Sequence, residues 1–361
     1  MTPNPIDSLL ASPAFDRADE TPAFRPAVAA CLAMLRERFP RYAEFLDRGN
    51  GSADLLAVPP LFLPVLKGYQ FASLPGVAVA VKLTSSGTTG RPSETPLDEP
   101  SWRWRVRAMR ASYEAYGLFT GEREVLAFLM DPATTRMAGS LVIDAVLREV
   151  PGIRSVSYLA RLGPTGPEFD PQKAIAALTR AAASGPLVLV GYPALIAAAI
   201  RELAAAGRPA FPLPEGSGIL TGGGWKSFQP GLTLDRDEFR GHVAGFFRVP
   251  PAAVRDMFGL SECPAVFIQC EHGSYHIPAW TLARSIDPET GRDVSTGEVG
   301  LLQLLVPLTI SYPLLSILTT DKVTLHDGCP CGRRAPHLVP RGRVTAARFE
   351  TCAMAINRAV S

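Results

Sequence analysis

Leu83-Thr-Ser-Ser-Gly-Thr-Thr-Gly-Arg-Pro-Ser93 places six hydroxyl side chains and two glycines in eleven residues. It follows Val77-Ala-Val-Ala-Val-Lys-Leu83, a short β-branched run that reads as a strand. Small and hydroxylated residues in a loop after a strand let backbone N–H and side-chain OH groups converge on phosphate oxygens. A polyphosphate cradle is therefore expected. It is not a Walker A loop, because Pro92 stands five residues after Gly87 and no Gly-Lys-Ser/Thr follows. A plain polar surface turn uses the same residue types, so the rest of the chain must decide between them.

Upstream, Pro26 to Phe45 carries apolar residues at helical spacing, and Pro59, Pro60 and Pro64 break the next run, so the first eighty residues read as a helical lead-in. Downstream, helical and strand-like stretches alternate. Helices are expected over Ser101–Tyr116, Ala138–Val150, Pro171–Ala183, Pro193–Ala206 and Asp235–Val243. Strands are expected over Val125–Met130, Leu187–Val190 and Gly218–Leu220. Such alternation implies an α/β fold with a largely parallel sheet. From about 265 the pattern changes to short β-rich segments, Ala265–Cys270, Gly300–Val306 and Leu314–Thr319, which predict a small β-rich subdomain over about 265–340.

Composition narrows the class. In 361 residues, 47% are hydrophobic and 19% charged, with 34 Pro and 31 Gly, which describes a turn-rich globular chain rather than a disordered one. Lys and Arg number 36 against 34 Asp and Glu, net +2, and no basic block calls for nucleic acid. The longest apolar stretches, Leu301–Leu308 and Leu314–Leu318, are too short to span a bilayer. The start, MTPNPIDSLLASPAF, has neither a basic n-region nor a sustained apolar h-region, so a cytoplasmic location is expected. Six cysteines, two of them in Cys329-Pro-Cys331, favour metal binding or thiol chemistry over a disulfide framework.

The phosphate-type loop resembles that of the adenylate-forming superfamily, and later motifs follow in the superfamily's order. Thr221-Gly-Gly-Gly-Trp-Lys226 resembles its glycine segment against which adenine lies. Asp256-Met-Phe-Gly-Leu-Ser-Glu262 resembles its aromatic-Gly-x-Ser/Thr-Glu motif, in which the ring stacks on adenine and the Glu approaches Mg²⁺. Thr319-Thr-Asp-Lys-Val323 resembles its Thr-Gly-Asp segment, with Thr320 in place of the Gly and Asp321 kept for the ribose hydroxyls. Gly342-Arg343 resembles the Gly-Arg that closes its large domain.

The resemblance thus implies ATP and Mg²⁺. The nucleotide would lie against Thr84, Ser85, Ser86, Gly87, Thr88, Thr89 and Gly90 of the loop, with Gly222, Gly223 and Gly224 of the glycine segment. Asp256, Phe258, Gly259, Ser261 and Glu262, then Asp321 and Arg343, would complete that site. Glu262 would hold the Mg²⁺.

Together with Cys270-Glu-His-Gly-Ser-Tyr-His-Ile-Pro-Ala-Trp280 and Cys329-Pro-Cys-Gly-Arg333, these segments are similar to the acyl-protein synthetases of bacterial bioluminescence, and more distantly to the phenylacetate-CoA ligase group. Members of that branch activate a fatty acid with ATP, carry it on a cysteine near the C-terminus and deliver it to a reductase partner. Cys352, in Phe349-Glu-Thr-Cys-Ala-Met354, matches that position. A thiolate attacking a mixed anhydride is ordinary nucleophilic catalysis, whereas a cysteine beside Ala and Met is equally a small packing residue.

The expected organisation is an adenylate-forming domain over 1–343 and a tail over 344–361. Many relatives continue into a C-terminal domain of about a hundred residues, within the usual range of a small domain, whose lysine stabilises developing charge. No segment matching that domain is expected here, so either another cation replaces the lysine, with Lys226 the first candidate, or adenylation is slow, or activity is lost; Lys226 is equally a solvated loop residue. Cys270, Cys329 and Cys331 with a nearby His form a donor set suited to structural Zn²⁺, or else a group of unpaired thiols. Related ligases favour His276 over His272 as the fourth donor.

Three functions remain open at this point. They are acyl transfer to Cys352 and then a partner protein such as a reductase, transfer to an external thiol of coenzyme A or a carrier protein, and a degenerate nucleotide-binding module. The carboxylic acid, fatty or aromatic, would be selected by segments such as Phe128–Gly139 and Val190–Pro193.

Overall fold

The computed structural model describes residues 4–48, 54–64, 78–85, 93–164, 166–223 and 236–344. Leu187-Val-Leu-Val-Gly191 is buried at every position, the pattern of a strand covered on both faces. It is the seventh of fifteen strands among the described residues. Before it come β1 (Leu61–Phe62), β2 (Val81–Thr84), β3 (Glu94–Leu97), β4 (Arg123–Met130), β5 (Ile153–Gly163) and β6 (Gly166–Phe169). After β7 (Leu187–Gly191) come β8 (Gly218–Gly222), β9 (Val254–Gly259), β10 (Val266–Gln269) and β11 (Tyr275–His276). The last four are β12 (Leu282–Ile286), β13 (Gly300–Leu305), β14 (Ser316–His326) and β15 (His337–Arg343).

Thirteen of these strands form one sheet, ordered β12-β13-β14-β15-β11-β10-β9-β8-β7-β4-β5-β6, with β1 beside β14. From β5 through β4, β7 and β8 to β9 the pairing is parallel, and from β9 through β10 to β12 it is antiparallel. The alternating and β-rich stretches therefore do not make separate sheets. They join where β9 and β10 form a hairpin-like pair, with Phe258 opposite Phe267.

The helices start where local chemistry stops the strands. Asp170 caps helix Pro171–Ala183 by accepting from the Gln172 and Lys173 amides, with Pro171 at the first helical position. Asp98 does the same for helix Glu99–Ala115 through Ser101 N. The single run expected over Pro26–Phe45 is divided instead into helices Phe24–Arg38 and Pro40–Arg48, because Pro40 has no N–H to continue the ladder. Strands β1, β3, β5, β6, β9, β11, β12 and β15 were not anticipated. β14 runs past its expected end at Thr319 to His326.

Two cores result. One lies around the parallel strands and their helices. The other packs Phe24, Val28, Cys31 and Leu35 of helix Phe24–Arg38 against Leu304, Leu315 and Ile317 of the antiparallel half. Each such side chain fully buried contributes about 1.5–3 kcal/mol. Residues 14–20 cross the far end of the same half: Ala279 N donates to Ala14 O and Ala335 N to Phe15 O, both at 2.8 Å. Arg17 pairs with Asp327 at 2.6 Å and Arg334 with Glu20 at 2.5 Å. Among the described residues no helix is long and apolar enough to cross a membrane.

Candidate active site

In an open parallel sheet, ligands bind beyond the carboxyl ends of the strands, near the point where strand order reverses. Here β4 is followed by β5 on one side and by β7, β8 and β9 on the other, so that point lies at Met130 and Gly191. Gly191 has φ +153°, and a Cβ there would stand 2.2 Å from Phe128 O, so no side chain fits. β2 is attached at the same end: Thr84 N donates to Arg136 O, in the segment after β4, at 2.8 Å.

β2 and β3 pair antiparallel, with Thr84 opposite Glu94, so the hydroxyl-rich loop is the connection of a hairpin. Its base is closed twice: Ser85 N donates to Ser93 O at 3.0 Å, and Ser93 N donates to Ser85 Oγ at 2.9 Å. Ser86, Gly87, Thr88, Thr89 and Gly90 lie outside the described residues, as do Gly224, Lys226 and Cys352.

The glycine segment leaves β8 at the same edge. A Cβ on Gly222 would press to 3.2 Å from Met257, and Gly223 has φ +79°, a left-handed conformation that favours glycine. On the neighbouring strand β9, alternation puts Asp256 and Phe258 on one face and Met257 on the other, where Tyr113 Oη meets Met257 Sδ at 3.3 Å. Phe258 is half-buried and stacks on Phe267 with centroids 6.0 Å apart.

Asp256 is held mainly by protein groups. Thr221 Oγ1 donates to its Oδ1 at 2.7 Å and Tyr275 Oη to its Oδ2 at 2.6 Å. Burial raises its pKa, and these two hydrogen bonds oppose that rise. Asp256 thus ties β8, β9 and β11 together beneath the expected adenine position. A role toward a nucleotide would use the remaining lone pairs.

Glu262 lies in the turn after β9 and is 6% exposed. Its Oε1 accepts from Ser93 Oγ at 2.5 Å, which joins the aromatic-Gly-Ser-Glu motif to the base of the β2–β3 hairpin. Ser261 O, beside it, accepts from Arg105 Nη1. On the antiparallel half, Asp321 of β14 sits opposite Arg343 of β15, and Arg343 Nε donates to Asp321 Oδ1 at 2.6 Å. Asp321 is 4% exposed and its own amide donates to Thr319 Oγ1. Ser93 and Arg105 were not among the residues singled out from the sequence. Ser93 is the last residue of the hydroxyl-rich loop, and Arg105 shares a helix face with Ser101, Ala108 and Met109, so a charge among buried positions was the available signal.

The four donors Cys270, His276, Cys329 and Cys331 come together, all ligand atoms within 4.8 Å of one another. Cys270 Sγ and Cys329 Sγ are 3.7 Å apart, and two sulfurs each about 2.3 Å from a tetrahedral zinc stand about 3.8 Å apart. His276 is fully buried, and burial lowers its pKa to about 4, so the ring is neutral. Its Nδ1 faces Ala335 O at 3.0 Å, where an N–H donates, and its Nε2 lies 3.1 Å from Cys331 Sγ. That tautomer leaves the Nε2 lone pair for a ligand, the outer-shell arrangement of many metal-bound histidines. The set can hold a tetrahedral ion with no open position.

A family profile described as acyl-protein synthetase, LuxE, matches residues 47–361. The long-chain-fatty-acid–luciferin-component ligase of Vibrio harveyi is 26% identical over 294 residues, covering 78% of this chain and 73% of that protein. Its namesake from Aliivibrio fischeri is 37% identical over 106 residues, 29% of this chain and 27% of that protein. Among solved structures, an open conformation of 2-hydroxyisobutyryl-CoA ligase in complex with 2-HIB-AMP and CoA gives a TM-score of 0.67 at 14% identity, over 91% of this chain and 76% of that one. That likeness bears on the fold, which is the adenylate-forming one. With the profile spanning most of its length, the chain belongs to the LuxE acyl-protein synthetase family of ligases.

Proposed function

We propose that this chain uses ATP to activate a long-chain fatty acid and passes the acyl group first to Cys352 and then to a reductase partner. The observation that carries this reading is the junction of the phosphate hairpin with the Ser-Glu turn, Ser93 on Glu262, at the carboxyl edge of the parallel strands. The acid class is taken from the names of the Vibrio and Aliivibrio relatives.

In this reading the acid's carboxylate oxygen attacks the α-phosphorus of ATP, the bond to the β-phosphate oxygen breaks, and pyrophosphate leaves. A thiolate then attacks the acyl carbon and AMP departs. The chain's contribution is positioning and charge placement. The hydroxyl-rich loop would receive the phosphates, Glu262 would offer the hard oxygen that Mg²⁺ takes, and Asp321 would accept from the ribose hydroxyls while Arg343 holds it in register. Mg²⁺, when bound, neutralises charge on the phosphates. Cys270, His276, Cys329 and Cys331 would hold a structural Zn²⁺ apart from these groups.

Intact-protein mass spectrometry tests the reading, after incubation with ATP, Mg²⁺ and fatty or aromatic acids, on wild type and Cys352→Ser. An acyl mass on wild type alone supports transfer to Cys352. Pyrophosphate release without an adduct moves the acceptor to an external thiol. Absence of acid-dependent pyrophosphate release would leave only a nucleotide-binding module.

A further inference from the structure

Helix Glu99–Ala115 turns Trp104, Val106, Ala108, Met109 and Tyr113 inward, and in the middle of this set stands a guanidinium, Arg105, only 4% exposed. Arg is almost never buried without a partner, and a helix that needed only packing there would carry an aliphatic side chain. The partners of Arg105 are two consecutive carbonyls: Nη2 donates to Leu260 O at 3.1 Å and Nη1 to Ser261 O at 3.0 Å. Its Nε has no partner among the described residues. Burial lowers its pKa to about 10, which leaves a cation at neutral pH. The residue that follows the two carbonyls is Glu262.

We infer that Arg105 is a positioning residue for acid activation: it fixes the peptide planes of Leu260 and Ser261 so that Glu262 is presented to the β2–β3 hairpin in the geometry in which its carboxylate would meet Mg²⁺. The inference rests on the adenylation reading. Holding the Ser261 peptide plane fixes the N–Cα bond from which Glu262 projects, and Glu262 Oε1 accordingly meets Ser93 Oγ. Arg105 touches neither phosphate nor acid. It acts through Glu262.

The test is acid-dependent ATP–pyrophosphate exchange at graded Mg²⁺ for wild type, Arg105→Met, Arg105→Lys and the core control Val106→Ala, with hydrogen exchange of residues 258–264 on each. Arg105→Met should lower kcat roughly 30-fold and raise the Mg²⁺ needed for half the maximal rate about tenfold, with the acid KM changed by less than about threefold. Arg105→Lys should recover about a tenth or more of the rate, and Val106→Ala should lower Tm without moving the Mg²⁺ requirement. An unchanged Mg²⁺ requirement in Arg105→Met, with activity falling only as Tm falls, overturns the assignment. If Arg105→Met does not fold, the same Mg²⁺ criterion is applied to Arg105→Lys. If wild type shows no exchange, the adenylation reading fails separately, and hydrogen exchange decides the clamp. Amides 260–263 exchanging about tenfold faster in the Arg105 variants but not in Val106→Ala supports it, and equal protection overturns it.

Discussion

Ser93 Oγ donates to Glu262 Oε1 at 2.5 Å across 169 residues of sequence, and so fastens the base of the β2–β3 hairpin to the turn after β9. Removing the two ends of this bond should have unequal effects. Glu262→Gln keeps a polar contact but loses the charge offered to Mg²⁺, and the rate of acid-dependent ATP–pyrophosphate exchange should fall about 10²–10³-fold. Ser93→Ala should cost about 1 kcal/mol of stability and about tenfold or less in rate. Exchange kinetics with a denaturant melt on each variant would separate them; equal losses would contradict the assigned role of Glu262.

Asp321 and Arg343 are opposite one another on β14 and β15 and are joined at 2.6 Å. Asp321→Asn removes a charged acceptor, and a hydrogen bond to a charged group contributes about 1.5–3 kcal/mol. The KM for ATP should therefore rise by roughly 10- to 100-fold, with the KM for the acid little changed. An ATP KM within twofold of wild type would remove Asp321 from the nucleotide site.

Gly223 has φ +79° at the exit from β8. Gly223→Ala should destabilise by about 1 kcal/mol, since a Cβ is disfavoured in that conformation, and should weaken ATP more than the acid. Equilibrium unfolding and a KM series for both substrates would check this.

The cysteine–histidine set should carry about one zinc per chain, read by elemental analysis of protein purified without chelator. Cys329→Ser should lose the ion and lower Tm. In metal-free protein the His276 pKa is about 4, below its ordinary 6.5. The unfolded chain then takes up a proton first as pH falls, so stability present above about pH 6.5 is lost progressively toward pH 4. Bound metal is lost in the same direction, because protons compete for His and Cys. Melting curves between pH 7 and 4, with and without metal, would show both effects.

The order of motifs was legible because their chemistry is local: hydroxyls and glycines after a strand, an aromatic-Gly-x-Ser-Glu run, a carboxylate after a strand. The fully buried strands were legible too, as continuous apolar runs such as Leu187–Val190. β5 was not, since Arg154, Ser155, Ser157 and Arg161 interrupt it and its burial follows no clean alternation. β14 was cut short because Thr320, Asp321 and Lys322 look like a turn, although in the fold they alternate between half-buried and buried positions. Cysteine spacing and family likeness picked out the four soft donors, but the Ala335 carbonyl that sets the His276 tautomer could not be read from spacing. Arg105 was missed for a different reason: the helical repeat marks a charge among Ser101, Ala108 and Met109, but the two carbonyls that receive it come from residues 260 and 261, far along the chain.

The strap formed by residues 14–20 has a consequence for how the chain reaches this structure. Its partners, Ala279, Asp327, Arg334 and Ala335, lie some 260 to 320 positions later, and β1 likewise waits for β14. Contacts of such high sequence separation carry a large loop-closure cost and form slowly. On the ribosome, residues 14–20 must therefore remain undocked until the loop bearing Cys329 and Cys331 has emerged, so this segment settles long after it is made.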